Sequence, residues 1–112
     1  MQTPAQGIVI RRARPADAER IARIWYTGWF DGHDGRVPRE LYAHRGEDSY
    51  PERVAARLEH TWVAERAAEV VGFVVVVGDE VEQVYVDAAA RGTSVAAELL
   101  ARAERAVADA GH

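Results

Sequence analysis

The sequence predicts an α+β fold: a mixed, mostly antiparallel sheet flanked by helices, in the order β-α-α-β-β-β-α. Three observations predict it. Residues 61–87 hold three β-rich runs joined by very short breaks, TWVAER, EVVGFVVVVGD and VEQVYVD. They are followed by a long Ala- and Leu-rich run, RGTSVAAELLARAERAVADAG, with helical spacing of its apolar residues. At the other end, GIVIRRA reads as a strand that leads into an amphipathic segment.

Each element has a local cause. In Gly7–Ala13, Ile8 and Ile10 fall on one face of an extended chain. The next run, RPADAERIARIWYTGW, starts as helices start, with Pro15 in the first turn and Asp17 and Glu19 near the positive end. Ile21, Ile24, Trp25 and Gly28 then share a stripe. Phe30–Pro38 has the Gly, Asp and Pro density of a loop. PRELYAHR is expected as a short helix, GEDS as a break, and YPERVAARLEH as a helix with Val54, Ala55 and Leu58 spaced for one face. Thr61–Arg66 is a strand, and Ala67-Ala68 a tight connection. Glu69–Asp79 is nearly continuous in β-branched residues, which predicts burial on both faces. Val81–Asp87 is the third strand of the meander. Val95, Leu99, Leu100, Ala103 and Val107 make the apolar stripe of the last helix, and Gly111 is a suitable stop.

Bulk properties bound the function. The 112 residues fit one domain, with 48% hydrophobic and 29% charged residues. The formal net charge is −4, and every basic side chain other than His is Arg. That balance argues against broad nucleic-acid binding, which requires a basic face. Without cysteine, disulfides, thiolate metal sites and a Cys nucleophile are excluded. No apolar run reaches membrane-spanning length, and MQTPAQG lacks the build of a signal peptide, so a cytoplasmic protein with no membrane partner is expected. DGHDG does not follow the alternating Asp pattern of a calcium loop, and no metal site is expected. His44 and His60 stand isolated.

The patch Arg91-Gly92-Thr93-Ser94 sits between the last strand and the last helix. A helix start offers unpaired N–H groups and partial positive charge. Gly92 lets a ligand approach the backbone, Arg91 adds full charge, and Thr93 and Ser94 add hydroxyl donors. Together they fit a phosphate or pyrophosphate. Taken alone, the same residues read first as an ordinary N-cap.

The neighbours of the patch widen its meaning. Arg91, Gly92, Thr93, Ser94, Val95 and Ala96 resemble the motif of the GNAT N-acetyltransferase family: Arg or Gln, two residues, Gly, one residue, then Gly or Ala. QVYVDAAARG resembles the family's strand into that loop, and AAELLARAERAVADAG its main cofactor helix. IVIRRARPADAERIARIW resembles the first strand and helix, and TWVAERAAEVVGFVVV the second and third strands. Ser94 stands where the family usually has Gly, which implies a weakened grip rather than an abolished one.

The resemblance implies an acetyl-CoA-dependent N-acetyltransferase whose acceptor is a small amine or a peptide N-terminus. It implies that Val84, Tyr85 and Val86 meet the pantetheine arm by edge pairing and that Arg91–Ala97, including Ala96 and Ala97, holds the pyrophosphate. An amine then attacks the thioester directly, with a backbone N–H near Val84 polarising the carbonyl. Glu82 is the first candidate base and Glu80 the second; solvated charge at a strand start is the competing reading for both. Glu80, Glu82, Val84 and Val86 are expected on one face, with the Tyr85 ring in the core. Trp29, Phe30 and His33, with Asp31 and Asp34, are the candidate acceptor-binding residues, while Trp25 is read as packing on the sheet. The likeness covers the family's N-terminal two thirds. Residues 1–112 are therefore expected as one domain that stops after the cofactor helix, without the family's later strands and its Tyr-bearing helix. An open strand edge then favours a homodimer. A non-catalytic CoA-binding or dimerisation module is the alternative reading.

Overall fold

The computed structural model describes residues 7–33 and 50–111, with the backbone alone at 29–33 and 50. The expected short helix PRELYAHR and His44 lie outside the described residues. Four strands form one sheet in the order β1-β2-β3-β4: β1 Ile8–Arg12, β2 Thr61–Arg66, β3 Glu69–Val77 and β4 Glu80–Val86. Every ladder among the described residues is antiparallel. The helices are α1 Ala18–His33, α2 Tyr50–Arg57 and α3 Val95–Asp109. This is the α+β layering that the sequence predicts.

The boundaries shift where local chemistry outweighs pattern. A 3-10 turn at Pro15–Asp17 precedes α1, and α1 runs on through His33, past the expected loop start at Phe30. A second 3-10 turn, Leu58–His60, closes the α2 region, where Thr61 donates its hydroxyl to the Arg57 carbonyl. Gly78 and Asp79 turn the chain, so β3 ends at Val77 and β4 begins at Glu80. At the β2–β3 hairpin, Ala67 and Ala68 both take positive φ, 52° and 66°. The twist of a two-residue hairpin imposes that conformation, and alanine accepts it with strain.

β3 is buried on both faces, as its valine run predicts. One face carries Val70, Phe73 and Val75 against Val63, Val54 and the α1 stripe Ile21, Ile24 and Trp25. The other carries Val71, Val74 and Val76 against Ala64 and the α3 residues Val95, Leu99 and Ala103. Each fully buried Val, Leu, Ile or Phe among these contributes about 1.5–3 kcal/mol relative to exposure. Val71 has no Cα partner on β2, which marks a bulge, and Val71 and Gly72 both turn toward α3. There α3 lies so close that a Cβ on Gly72 would meet Leu99 Cδ1 and the Tyr85 carbonyl at 3.1 Å.

A polar clamp ties β1 to the start of α1. Arg11 donates to both carboxylate oxygens of Asp17, at 2.8 and 3.1 Å, and to Glu65 at 3.1 Å. Asp17 also accepts from the Arg14 amide at 2.7 Å and is almost fully buried. The Arg11 hydrogen bonds, aided by the Arg14 amide, hold the Asp17 carboxyl below its usual range against the opposing effect of burial. A carboxyl with a depressed folded pKa stabilises above its unfolded pKa, and that stability is lost as pH falls through the folded value. Urea midpoints of the wild-type chain should therefore fall steeply from about pH 4 downward. Asp17→Asn should be less stable at neutral pH and lose less over that interval. Parallel curves for the two proteins would count against the clamp.

Candidate functional site

β4 is the last strand in the sheet order, and its outer edge has no strand partner among the described residues. Its register against β3 breaks once. Val75 faces Gln83 and Val76 faces Val81, so Glu82 has no Cα partner and forms a bulge. This corrects the expected alternation. Val84 and Val86 pack on the α3 face, whereas Glu82 turns to the α1–α2 face and meets Arg57. Glu80 pairs with Val77, which packs on that same α1–α2 face, and Glu80 is exposed at the strand start.

Tyr85 enters the core, as expected. Its ring lies 5.9 Å from that of Phe73, which lies 5.6 Å from that of Trp25. Gly28 makes room for it: a Cβ there would come within 2.9 Å of Tyr85 Cε1 and closer still to Cδ1. The missing side chain lets α1 sit directly on β4.

A structured turn leads from β4 to α3. Asp87 accepts from the Ala89 amide at 3.3 Å and caps a 3-10 turn, Ala88–Ala90. Arg91 is extended, and its Nε donates to the Val86 carbonyl at 3.3 Å. Gly92 has φ 82°, in the region that favours glycine, and space is open where a Cβ would stand. The hydroxyls are engaged internally. Thr93 donates to the Ala90 carbonyl and accepts from the Val95 amide at 3.3 Å, and Ser94 donates to Glu98 at 3.1 Å. The donors expected of Thr93 and Ser94 are therefore engaged by Ala90 and Glu98 in this structure. Ser94 has φ −80° and ψ 2°, a conformation open to any residue, so its Cβ strains nothing. Val95 is fully buried and anchors the helix start. The α3 ladder opens with Glu98 N–H donating to the Ser94 carbonyl at 3.0 Å. The amides of Ala96 and Ala97 come before it, in the first turn that a helix leaves unpaired.

On the other side of the sheet, Trp25, Arg53, Ala56, Arg57, Glu82 and Gln83 line a cavity of about 320 Å³. Arg57 Nε donates to Glu82 Oε1 at 2.6 Å, and this pairing raises the Arg57 pKa. Glu82 Oε2 makes no bond among the described residues. Sequence reasoning missed Arg53, Arg57 and Gln83. The legible signal was the four-residue spacing of Arg53 and Arg57, which puts both on one side of α2. The backbone of Trp29, Phe30 and His33 forms the last turns of α1; their side chains lie outside the described residues. Among the described residues no group of His, Asp and Glu could hold a metal ion, and no helix is long and apolar enough to cross a membrane.

The contact between Gly28 and Tyr85 is testable. Gly28→Ala removes a helix-weakening glycine, worth about 1 kcal/mol in an open helix. Here the added methyl meets an aromatic ring held in the core, and overpacking costs about 1–3 kcal/mol. The urea midpoint is expected to fall. An unchanged or higher midpoint would mean that α1 moves freely off β4.

Comparison with known proteins follows this geometry. The described fold is similar to a GCN5-related N-acetyltransferase from Rhodopseudomonas palustris, with a TM-score of 0.74 and 21% identity over 100% of this chain and 71% of that one. It is similar to apo YjaB from Escherichia coli, with a TM-score of 0.69 and 24% identity over 90% and 67% of the two chains. It is also similar to the PaiA N-acetyltransferase from Thermoplasma acidophilum in complex with coenzyme A, with a TM-score of 0.69 and 17% identity over 93% and 74%. No curated protein matches the sequence significantly. Residues 57–112, half of the chain, match the family described as the acetyltransferase (GNAT) domain. That stretch holds β2 to β4, the Gly92 turn and α3, and by this match the chain belongs to the GNAT acetyltransferase family.

Proposed function

We propose that the chain binds acetyl-CoA and transfers its acetyl group to an amine within a ternary complex, in the cytoplasm. The observation that carries this reading is the Gly92 turn, open and backbone-rich, placed where the β4 edge, without a strand partner among the described residues, meets the start of α3. In this reading the Arg91 guanidinium and the amides from Gly92 to Ala97 hold the pyrophosphate. Val84, Tyr85 and Val86 offer backbone groups along the open edge to the pantetheine arm. The donor supplies an activated acetyl thioester. The amine nitrogen bonds to the acetyl carbon, the carbon–sulfur bond breaks, and the thiolate leaves.

The acceptor, a small amine or a peptide N-terminus, enters on the α1–α2 face beside Trp25 and the bulge. Trp29, Phe30 and His33, at the end of α1, are proposed to meet it. Glu82 takes the amine proton through Oε2, directly or through one water, while Arg57 holds its other oxygen. Glu80 is the second candidate. The competing reading, a CoA-binding module without turnover, draws support from the same ion pair, because a carboxylate engaged by arginine is a restrained base.

Binding and turnover separate the two. Acetyl-CoA titrated by calorimetry should bind, and Gly92→Val should weaken it by about tenfold or more, because valine strains the turn and fills the open space. Thiol release over a panel of amines should then appear, and Glu82→Gln should lower kcat by roughly 10²–10⁴-fold without a matching loss of binding. Binding without thiol release would leave the module reading standing, and no binding would remove both.

The β4 edge, without a strand partner among the described residues and with Val81 exposed, also supports a homodimer. Light scattering after size exclusion should give twice the 12.4 kDa chain mass. A monomer at high concentration would refute it.

A further inference from the structure

The far end of the α3 face holds a cavity that the acetyl-transfer reading does not use. It has a volume of about 400 Å³ and lies between the end of β1, the start of β2 and the C-terminal half of α3. At about 1.5 Å per residue, the 15 residues of α3 put Asp109 about 20 Å from the Gly92 turn. The sheet separates this cavity from the Arg57–Glu82 pair on the other face.

Its chemistry is unusual for an acidic chain. Trp62 stands on β2 directly across from Arg12 on β1. The Arg12 guanidinium lies 4.6 Å from the Trp62 ring centroid, and the Arg102 guanidinium of α3 lies 4.4 Å from it. Two cations thus converge on one indole. Arg12 donates to the Glu59 carbonyl at 2.9 Å and has no carboxylate partner among the described residues. Arg102 is 20% exposed, and its one carboxylate contact among the described residues is Asp109, 3.4 Å away and 79% exposed. Its Nε is buried without a hydrogen bond. His60 is a further cavity wall, near the outward-turned carboxylate of Glu59. Arg102 and Trp62 therefore form the inner wall, Arg12 its more exposed end, and the carboxylates of Glu59 and Asp109 face solvent.

We propose that this cavity is a second ligand site, for a small monocarboxylate with a planar apolar body. A carboxylate matches the guanidinium fork and would give Arg12 the anionic partner it lacks among the described residues. Trp62, Val76 and Ala106 supply the apolar wall for its body. The rim carboxylates Glu59 and Asp109 disfavour a dianion such as phosphate. The volume suits a molecule of about the size of benzoate or somewhat larger. The proposal stands on these residues alone and does not depend on acetyl transfer.

Indole N–H signals in a ¹H–¹⁵N spectrum of the full chain give the readout, since there are three tryptophans and Trp62→Phe identifies the relevant one. Benzoate, benzamide and inorganic phosphate are the probes, at about 0.1 M salt to screen long-range charge. Benzoate should move the Trp62 signal to saturation, with benzamide and phosphate at least about tenfold weaker. Arg12→Gln and Arg102→Gln should each weaken benzoate by about tenfold. Saturating acetyl-CoA should leave the benzoate titration unchanged. No saturable shift, equal binding of benzamide or phosphate, displacement by acetyl-CoA, or unchanged affinity in Arg12→Gln would each overturn the proposal. Arg12 is exposed at a strand end, so its variant decides the matter if Arg102→Gln fails to fold.

Discussion

The burial of β3 on both faces is the constraint on which the rest of the molecule depends. A strand with apolar side chains above and below must be covered twice, and α1 with α2 covers one face while α3 covers the other. It must also be flanked on both edges, by β2 and β4. Among the described residues β4 is the outer strand, and the chain leaving β4 crosses over one face to lay α3 down. The Gly92 turn is where that crossing happens. Its position at the strand edge and the helix start is a consequence of how the core is closed.

The two bulges adjust this frame for different ends. The one at Val71 turns two successive residues of β3 toward α3, at the point where Gly72 lets the helix approach. The one at Glu82 turns a carboxylate across to the α1–α2 face, where Arg57 meets it. An uninterrupted strand would have left Glu82 on the α3 face with Val84 and Val86. A single extra residue thus gives the candidate acceptor cavity its acidic group.

Charge is distributed by task in a chain with net −4. Arg11 is spent on Asp17 and Glu65, which pin the start of α1 to the sheet. Arg20 donates to the Val70 carbonyl and lies 3.6 Å from Asp87, linking α1 to the start of the turn that leads to α3. Partly exposed pairs such as Arg20–Asp87 contribute little individually, whereas breaking the more buried Arg11–Asp17 pair would leave a charge without its partner. Arg57 and the Arg12–Trp62–Arg102 group are different, since they line cavities.

The amino-acid sequence by itself determined the layers, the strand order within the meander, the double burial of the valine run and the position of the Gly92 turn. These follow from short-range periodicity and from glycine at a position with positive φ, both of which are local properties. Tertiary structure decided the rest. Thr93 and Ser94 looked like donors to a ligand, but their hydroxyls are drawn to Ala90 and Glu98 once the turn closes. Glu82 changes face because a bulge depends on the register of two strands, which no single segment encodes. Arg57 reaches Glu82, and Arg12 and Arg102 reach Trp62, across 25, 50 and 40 positions of sequence; only folding sets such separations to a few ångströms.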